Sequence, residues 1–272
     1  MTTEFDKIYC INYLESVGRR EFMQMQADEL GLDITFYNAL NYDRLFNDEI
    51  KSAIRHNTRL YNMAVYGCMH SHYAVLKEAQ LLGYEKILIM EDDLCFIKDK
   101  SVLEKYFNNL PEDADFIKYI FTITELPLFC PHHLQKLSVE YYRYMNTTDK
   151  YKDTPFISYK ELPDWYPGTN CTALYAVNKK GIDYLVKCYE EGNCKYAADQ
   201  FLYLFDMRGL DMNDCPINCY FTNKTIAAPA ISFTTGYADI DTIPQINATP
   251  LFTFNKDDFY YNYFSSTICK GR

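Results

Sequence analysis

The apolar run Lys86–Met90 limits the possible folds of this chain most strongly. Four consecutive apolar residues, Ile87 to Met90, follow a long helical pattern and end at a polar turn. A strand-length run without polar alternation is typical of a strand buried on both faces, as in parallel sheets covered by helices. We therefore expect an α/β fold with this strand near the centre of the sheet.

Strand and helix patterns alternate through the first 122 residues and return after residue 170. Because strands separated by helices pair in parallel with right-handed crossovers, we predict a doubly wound, Rossmann-like, mostly parallel sheet flanked by helices. Gly31 and Gly83 are predicted to end the first two helices, since glycine tolerates the left-handed backbone found there. The predicted strands are Lys7–Asn12, Ile34–Ala39, Lys86–Met90, Phe116–Thr122 and Cys171–Val177, and the predicted helices are Arg19–Leu30, Arg59–Leu82, Ser101–Asn109, Lys179–Glu190 and Ala197–Met207.

The middle of the chain lacks this regularity. Residues 125–167 contain five prolines and many tyrosines with little periodicity, and a long irregular segment in a compact domain is usually a functional loop or lid. We expect one domain over residues 1–235 that includes this irregular segment. We expect the tail, residues 236–272, to pack on that domain.

Composition excludes some classes of function. The chain has 27 Lys and Arg against 37 Asp and Glu, a formal net charge of −10. A nucleic-acid binder needs a basic face, so this balance disfavours one. No apolar stretch is long enough to cross a bilayer, and the first residues lack the pattern of a secretory signal. Half of the ten cysteines lie in strand-like or helix-like runs, namely Cys10, Cys68, Cys95, Cys171 and Cys188, and the chain has no C-x-x-C pair. We therefore expect reduced thiols, only a weak zinc signal and a cytoplasmic location.

Three carboxylates, Glu91-Asp92-Asp93, follow the apolar strand directly. Ligands bind at the carboxyl ends of strands in open α/β sheets, so the position suits a site. Adjacent carboxylates repel one another, and a hard cation such as Mg²⁺ or Mn²⁺ would relieve that repulsion. Alternation along an extended chain would place Glu91 and Asp93 on one side and Asp92 on the other. The alternative is that the three residues only solvate a turn and cap a helix.

The surroundings of this cluster resemble the core signature of glycosyltransferase family 25. That signature runs Gly-Cys-x-x-Ser-His, then a helix, then an apolar strand into Glu-Asp-Asp. The family includes lipopolysaccharide β-galactosyltransferases and collagen hydroxylysine galactosyltransferases. The likeness spans roughly residues 7–232. The matching residues are Gly67, Cys68, Ser71, His72, Glu91, Asp92 and Asp93, with Ile11-Asn12, Ser16 and Arg19-Arg20 near the start and Ala198-Asp199 with Phe201-Leu202 downstream.

The resemblance implies a GT-A-like fold and an inverting transfer. The donor would be a UDP-hexose, with galactose as the default sugar, and the acceptor a hydroxyl of a glycan or glycoconjugate. Mn²⁺ or Mg²⁺ would assist, with Asp93 as its ligand. The resemblance further implies donor contacts from Asn12, Arg19, Ser71, His72, Glu91 and Asp92.

Asp199 is the candidate general base, because it lies in the short Asp-containing motif of the family. The alternative is that Asp199 caps a helix, and Glu125 and Asp164 are weaker candidates. Tyr13, Leu14 and Glu15 depart from the family pattern. Residues 125–166 have no counterpart in it, and we expect acceptor choice to depend on them. If the acceptor is linked to lipid, a peripheral membrane contact would follow.

Two other classes of function stay open. The acidic cluster could serve a metal-dependent phosphohydrolase or nuclease, although the scattered histidines disfavour the close ligand spacing common in such enzymes. The chain could also be a non-catalytic sugar-nucleotide or glycan-binding protein. The presence of the complete acidic cluster and of Asp199 argues against that alternative.

Overall fold

The computed structural model of the protein describes residues 1–39, 47–49, 51–52, 63–119, 122–123, 154–161, 169–170, 172–193, 216–223 and 226–229. The strands are β1 (Lys7–Tyr13), β2 (Ile34–Ala39), β3 (Lys86–Glu91), β4 (Leu94–Phe96), β5 (Phe116–Lys118), β6 (Thr122–Ile123), β7 (Phe156–Ser158), β8 (Thr169–Asn170), β9 (Leu174–Asn178), β10 (Cys219–Thr222) and β11 (Ala227–Pro229). The helices are α1 (Val17–Leu30), α2 (Met63–Leu82), α3 (Lys100–Asn108) and α4 (Lys179–Cys188), with a 3₁₀ turn at Tyr159–Glu161 and a π turn at Tyr189–Asn193.

A seven-stranded sheet in the order β2-β1-β3-β9-β5-β10-β7 forms the centre of the fold. β1 pairs in parallel with β2 and β3, and β5 pairs in parallel with β10. β9 runs antiparallel to both β3 and β5, and β7 runs antiparallel to β10. Five of the seven strands therefore share one direction, which confirms the predicted α/β class with a mostly parallel sheet.

Within this mostly parallel sheet, β9 and β7 run in the opposite direction to the other five strands. The parallel rule applies to strands that are joined by a crossover helix. β9 is preceded by the short strands β7 and β8 instead, so it can return between β3 and β5 in the opposite direction. This insertion brings the start of β9 next to the end of β3, where Glu91 N–H donates to the carbonyl of Ala173 at 2.8 Å.

Helices cover both faces of the sheet, as the apolar character of β3 predicts. Ile87 and Ile89 point to one face, where they pack with α2 and α4. Leu88 and Met90 point to the other face, where they pack with α1 and α3. All four side chains are fully buried, so the strand carrying the acidic cluster is fixed from both sides.

The helix boundaries follow local signals, with a correction at the start of α3. Gly31 and Gly83 both have φ of 70°, which confirms them as left-handed helix ends. α3 begins at Lys100, one residue before the predicted start at Ser101, and is capped by Asp99, whose carboxylate accepts from the N–H of Ser101 at 2.9 Å.

The predicted strand Phe116–Thr122 is also corrected. β5 ends at Lys118, and Thr122–Ile123 belongs to a separate two-stranded sheet with β8. The predicted helix Ala197–Met207 and the tail 236–272 lie outside the described residues. Five cysteines in the described part lie outside any disulfide, as expected: Cys10, Cys68, Cys95, Cys188 and Cys219. None of the described helices has the length and apolar character needed to cross a bilayer.

Candidate active site

The three carboxylates lie at the carboxyl end of β3, beside the end of β1 and the start of α1. A bend at Asp92 and Asp93 follows β3, and the chain then enters β4 directly. Because a strand rather than a helix comes next, the alternative that these residues cap a helix is wrong. The bend also breaks the strand alternation. Arg19 Nη1 lies 2.8 Å from Asp92 and 3.8 Å from Asp93, so the predicted placement of these two residues on opposite sides is wrong.

Asp92 is held by partners from β1 and α1. Its carboxylate accepts from Asn12 Nδ2 at 2.7 Å and from Arg19 Nη1 at 2.8 Å. The Asp92 side chain is 7% exposed, so its charge depends on these donors rather than on water. Asn12 and Arg19 thus meet the acidic cluster. Their predicted contacts with a donor stay predictions.

Glu91 is held from the other face of the sheet. His72 Nε2 lies 3.1 Å from its Oε1, and the hydroxyl of Thr172 donates to the same oxygen at 3.0 Å. Burial opposes ionisation of Glu91, but the hydrogen bonds from His72 and Thr172 outweigh it, so its pKa lies below the ordinary value. On the far side of the ring, His72 Nδ1 lies 3.0 Å from the hydroxyl of Tyr175. Tyr175 therefore fixes the ring that faces Glu91.

Asp93 has a different environment from its two neighbours. Burial and the nearby charges of Glu91 and Asp92 raise the pKa of Asp93 to about 7, although Arg19 acts in the opposite direction. Its side chain keeps 26% exposure, so it can reach a ligand. A carboxylate that ionises only with difficulty gains the most from a nearby cation.

The residues present fit a hard divalent cation at Asp93. Asp92 and Glu91 already have close donors, whereas the ion pair of Asp93 with Arg19 is long at 3.8 Å. Magnesium and manganese accept sites of one or two carboxylates that are completed by substrate phosphates and water. Among the described residues, the buried Oδ1 of Asn12 accepts no hydrogen bond, so a further polar acceptor lies unused beside the cluster.

Other predicted residues lie nearby or outside the described part. Ser71 is fully buried, and its hydroxyl donates to the carbonyl of Gly67 within α2 at 2.7 Å, so its predicted donor contact stays a prediction. The guanidinium of Arg20 stacks over the ring of Phe36 at 4.2 Å and takes no part in the cluster. Asp199, the candidate base, lies outside the described residues, as do Glu125 and Asp164.

Sequence reasoning missed Thr172 and Tyr175. Thr172 reaches Glu91 and Tyr175 reaches His72 because β9 is inserted antiparallel between β3 and β5, and no local pattern reveals that insertion. Tyr175 belongs to the predicted strand Cys171–Val177, but its role as the partner of His72 becomes visible only in the structure.

A family model described as glycosyltransferase family 25 (LPS biosynthesis protein) matches residues 5–202. This match covers well over half of the chain and includes β1, α1, α2, β3 and the acidic cluster. The chain belongs to glycosyltransferase family 25. The mostly parallel sheet with helices on both faces agrees with the GT-A-like α/β fold expected of this family.

Two insect proteins resemble part of this family 25 chain. A glycosyltransferase 25 family member from Aedes aegypti is 32% identical over 98 residues, which is 33% of this chain and 16% of the insect protein. A glycosyltransferase 25 family member from Drosophila pseudoobscura pseudoobscura is 29% identical over 100 residues, which is 34% of this chain and 16% of that protein. The matched segment thus spans about a sixth of each relative.

Two solved structures resemble the family 25 chain over most of its length. One is a glycosyltransferase involved in the glycosylation of the major capsid of PBCV-1, with a TM-score of 0.39, 11% identity and 88% coverage of both chains. The other is mouse xyloside xylosyltransferase 1 in its apo form, with a TM-score of 0.33, 13% identity and coverage of 72% of this chain and 67% of the mouse chain.

Proposed function

We propose that this protein is a metal-assisted, inverting glycosyltransferase that moves a hexose from a UDP-sugar to a hydroxyl of a glycan or glycoconjugate. The observation that carries the proposal is that the three carboxylates of the acidic cluster have different environments. Asp92 and Glu91 are each held by close donors, whereas Asp93 is partly exposed with its pKa raised to about 7. Such an arrangement provides one carboxylate for a cation and two that are fixed in place.

Asp93 would hold Mn²⁺ or Mg²⁺, and the bound ion would neutralise charge on the departing diphosphate. Arg19 adds a positive charge at the same edge and holds the Asp92 carboxylate in place. His72 and Thr172 fix one oxygen of Glu91. The carboxylate oriented in this way is suited to accept hydrogen bonds from the hydroxyls of the UDP-sugar. His72 then acts as a positioning residue for Glu91.

The transfer is a single displacement at the anomeric carbon. The acceptor oxygen forms a bond to C1 of the hexose as the bond from C1 to the diphosphate oxygen breaks, and UDP leaves. The proton of the acceptor hydroxyl goes to a carboxylate base, for which Asp199 is our candidate. Galactose as the donor sugar rests on the family resemblance alone.

The test is donor cleavage in the absence of an acceptor, because transferases of this kind release some sugar to water. We expect Mn²⁺- or Mg²⁺-dependent release of UDP from UDP-galactose or UDP-glucose. Asp93→Asn should lower that rate by about 100-fold or more, because charge stabilisation of the leaving group is lost. Asp33 is the matched control, because it is exposed and lies just before β2, at the opposite end of the strands from the acidic cluster. Asp33→Asn should leave the rate within about twofold.

The outcomes separate the classes of function. Metal-dependent UDP release that is lost in Asp93→Asn supports the transferase. Tight UDP-sugar binding without release, with or without added glycan acceptors, would indicate a binding protein instead. Absence of UDP-sugar binding by the folded protein would overturn the proposal.

A further inference from the structure

We propose a second metal site, for a thiophilic divalent cation such as Zn²⁺, formed by Cys68, His72 and Glu91. The Cys68 Sγ, a ring nitrogen of His72 and a carboxylate oxygen of Glu91 all lie within 4.8 Å of one another. Two ligands of a tetrahedral ion with bonds of about 2.0–2.1 Å are about 3.3 Å apart. The 3.1 Å between His72 Nε2 and Glu91 Oε1 is close to that separation.

The helix supplies two of the ligands with the spacing that a metal requires. Cys68 and His72 are four residues apart in α2, so their side chains lie one above the other on the same face. Residues 68 and 72 thus form a Cys-x-x-x-His pair, which a search for C-x-x-C pairs or paired histidines overlooks. The end of β3 brings Glu91 against that face as the third ligand.

The surrounding residues orient these ligands as they do in known metal centres. The hydroxyl of Tyr175 lies 3.0 Å from His72 Nδ1, which leaves Nε2 to face Glu91. A ligating histidine usually bonds through its other ring nitrogen to such a partner, which fixes the ring and the tautomer. Because the Tyr175 hydroxyl can accept as well as donate, Nδ1 can carry the proton while Nε2 binds the ion. Thr172 donates to Glu91 and holds that carboxylate in turn.

The ligand chemistry distinguishes this site from Asp93. One thiolate, one imidazole and one carboxylate favour zinc over magnesium or manganese. The ligands also carry two negative charges when the thiol is ionised, so a divalent ion gives a neutral site in this partly buried position. Three protein ligands leave a fourth position for water, and the 27% exposure of the Glu91 side chain gives that position access to solvent.

The experiment uses cobalt as a spectroscopic probe on the full chain after treatment with chelator and reductant. Binding of Co²⁺ through a thiolate should produce a sulfur-to-cobalt charge-transfer band in the near ultraviolet, with one equivalent bound and displacement by Zn²⁺. Cys68→Ser should abolish the band and weaken Zn²⁺ binding more than about tenfold, because a thiolate ligand is lost. Tyr175→Phe should keep the band and weaken affinity by about 10–100-fold.

Matched controls separate this site from other thiols and from the proposed function. Cys188 is a buried cysteine in α4, so Cys188→Ser should retain the band. Asp93→Asn should also retain it, since that residue belongs to the other cation position. Glu91→Gln should keep the band with weaker affinity, which tests the third ligand even if Cys68→Ser does not fold. A folded wild-type protein without the band, or a band of equal intensity in Cys68→Ser, would overturn the proposal.

Discussion

Asp93 is a single residue whose burial beside other carboxylates lowers the stability of the folded protein. Its pKa is raised to about 7 in the folded protein, against about 3.9 in an unfolded chain. The folded state therefore binds the Asp93 proton more tightly. Ionisation of the Asp93 carboxyl costs free energy in the folded state. The free energy of unfolding therefore falls as the pH rises from about 4 to about 7.

We predict that Asp93→Asn stabilises the protein above neutral pH. The neutral amide removes the ionisation penalty, and each pKa unit corresponds to about 1.4 kcal/mol, so the expected gain at pH 8 is on the order of 1–4 kcal/mol. The gain should shrink towards zero near pH 4. The measurement is urea unfolding with EDTA present at several pH values. An equal effect at pH 4 and pH 8 would contradict the assigned cause.

Arg19 has the opposite effect, because it compensates a buried charge. We predict that Arg19→Ala destabilises the protein by about 2–4 kcal/mol, since it leaves the Asp92 carboxylate with fewer donors in a position that is 7% exposed. Arg19→Ala combined with Asp92→Asn should recover part of this loss. Denaturant unfolding of the two single variants and the double variant measures the coupling free energy.

The matched control for Arg19 is an ion pair at the surface. Lys187 and Glu191 lie 3.8 Å apart with side chains 68% and 62% exposed. Lys187→Ala should therefore change the free energy of unfolding by no more than about 0.5 kcal/mol. If Lys187→Ala and Arg19→Ala lowered the free energy of unfolding by similar amounts, burial would not determine how much these ion pairs stabilise the protein.

At the scale of elements, the close packing of the start of α4 requires a glycine, Gly181, which has no side chain. Gly181 lies in the first turn, where the side chain of Asn178 accepts its N–H at 2.9 Å. A Cβ at Gly181 would collide with the backbone carbonyl of Asp115 and would lie 2.6 Å from Val177 Cγ2. Because one of these contacts is backbone, the helix could not keep its present distance from β5.

We predict that Gly181→Ala lowers the free energy of unfolding by about 1–3 kcal/mol, as overpacking does. Gly18 in the first turn of α1 is the matched control, since a Cβ there would meet no atom within 4 Å. Gly18→Ala should stabilise the protein by about 0.4–1 kcal/mol through the unfolded chain. Thermal unfolding of both variants measures the contrast, and opposite signs are the expected result.

At the scale of the whole molecule, the sequence predicts the parts that depend on local patterns. β1, α1, β2 and β3 lie where expected because apolar runs, helix periodicity and Gly31 and Gly83 act over short distances. The meeting of Asn12, Arg19 and the acidic cluster is also predictable, since parallel strands end at one edge of the sheet. The half of the site formed by β1 and β3 is therefore predictable from the sequence.

The other half of the site depends on pairing between distant segments. Leu174 pairs with Met90 in an antiparallel register that no local signal specifies. The contacts of Thr172 and Tyr175 follow from that pairing, as does the orientation of His72. The roles proposed for Asp199 and for residues 125–167 lie outside the described residues and stay predictions.

The position of β9 also affects how the protein is made. A ribosome releases β1, β2 and β3 well before it reaches Leu174–Asn178, the strand that closes the second edge of β3. Until then, the nascent chain presents an apolar strand with unpaired backbone groups, which is a template for pairing with other chains. The strand that completes the site is thus also the one that ends this exposure, and slow or interrupted translation between residues 92 and 173 would prolong the interval in which this strand can pair with other chains.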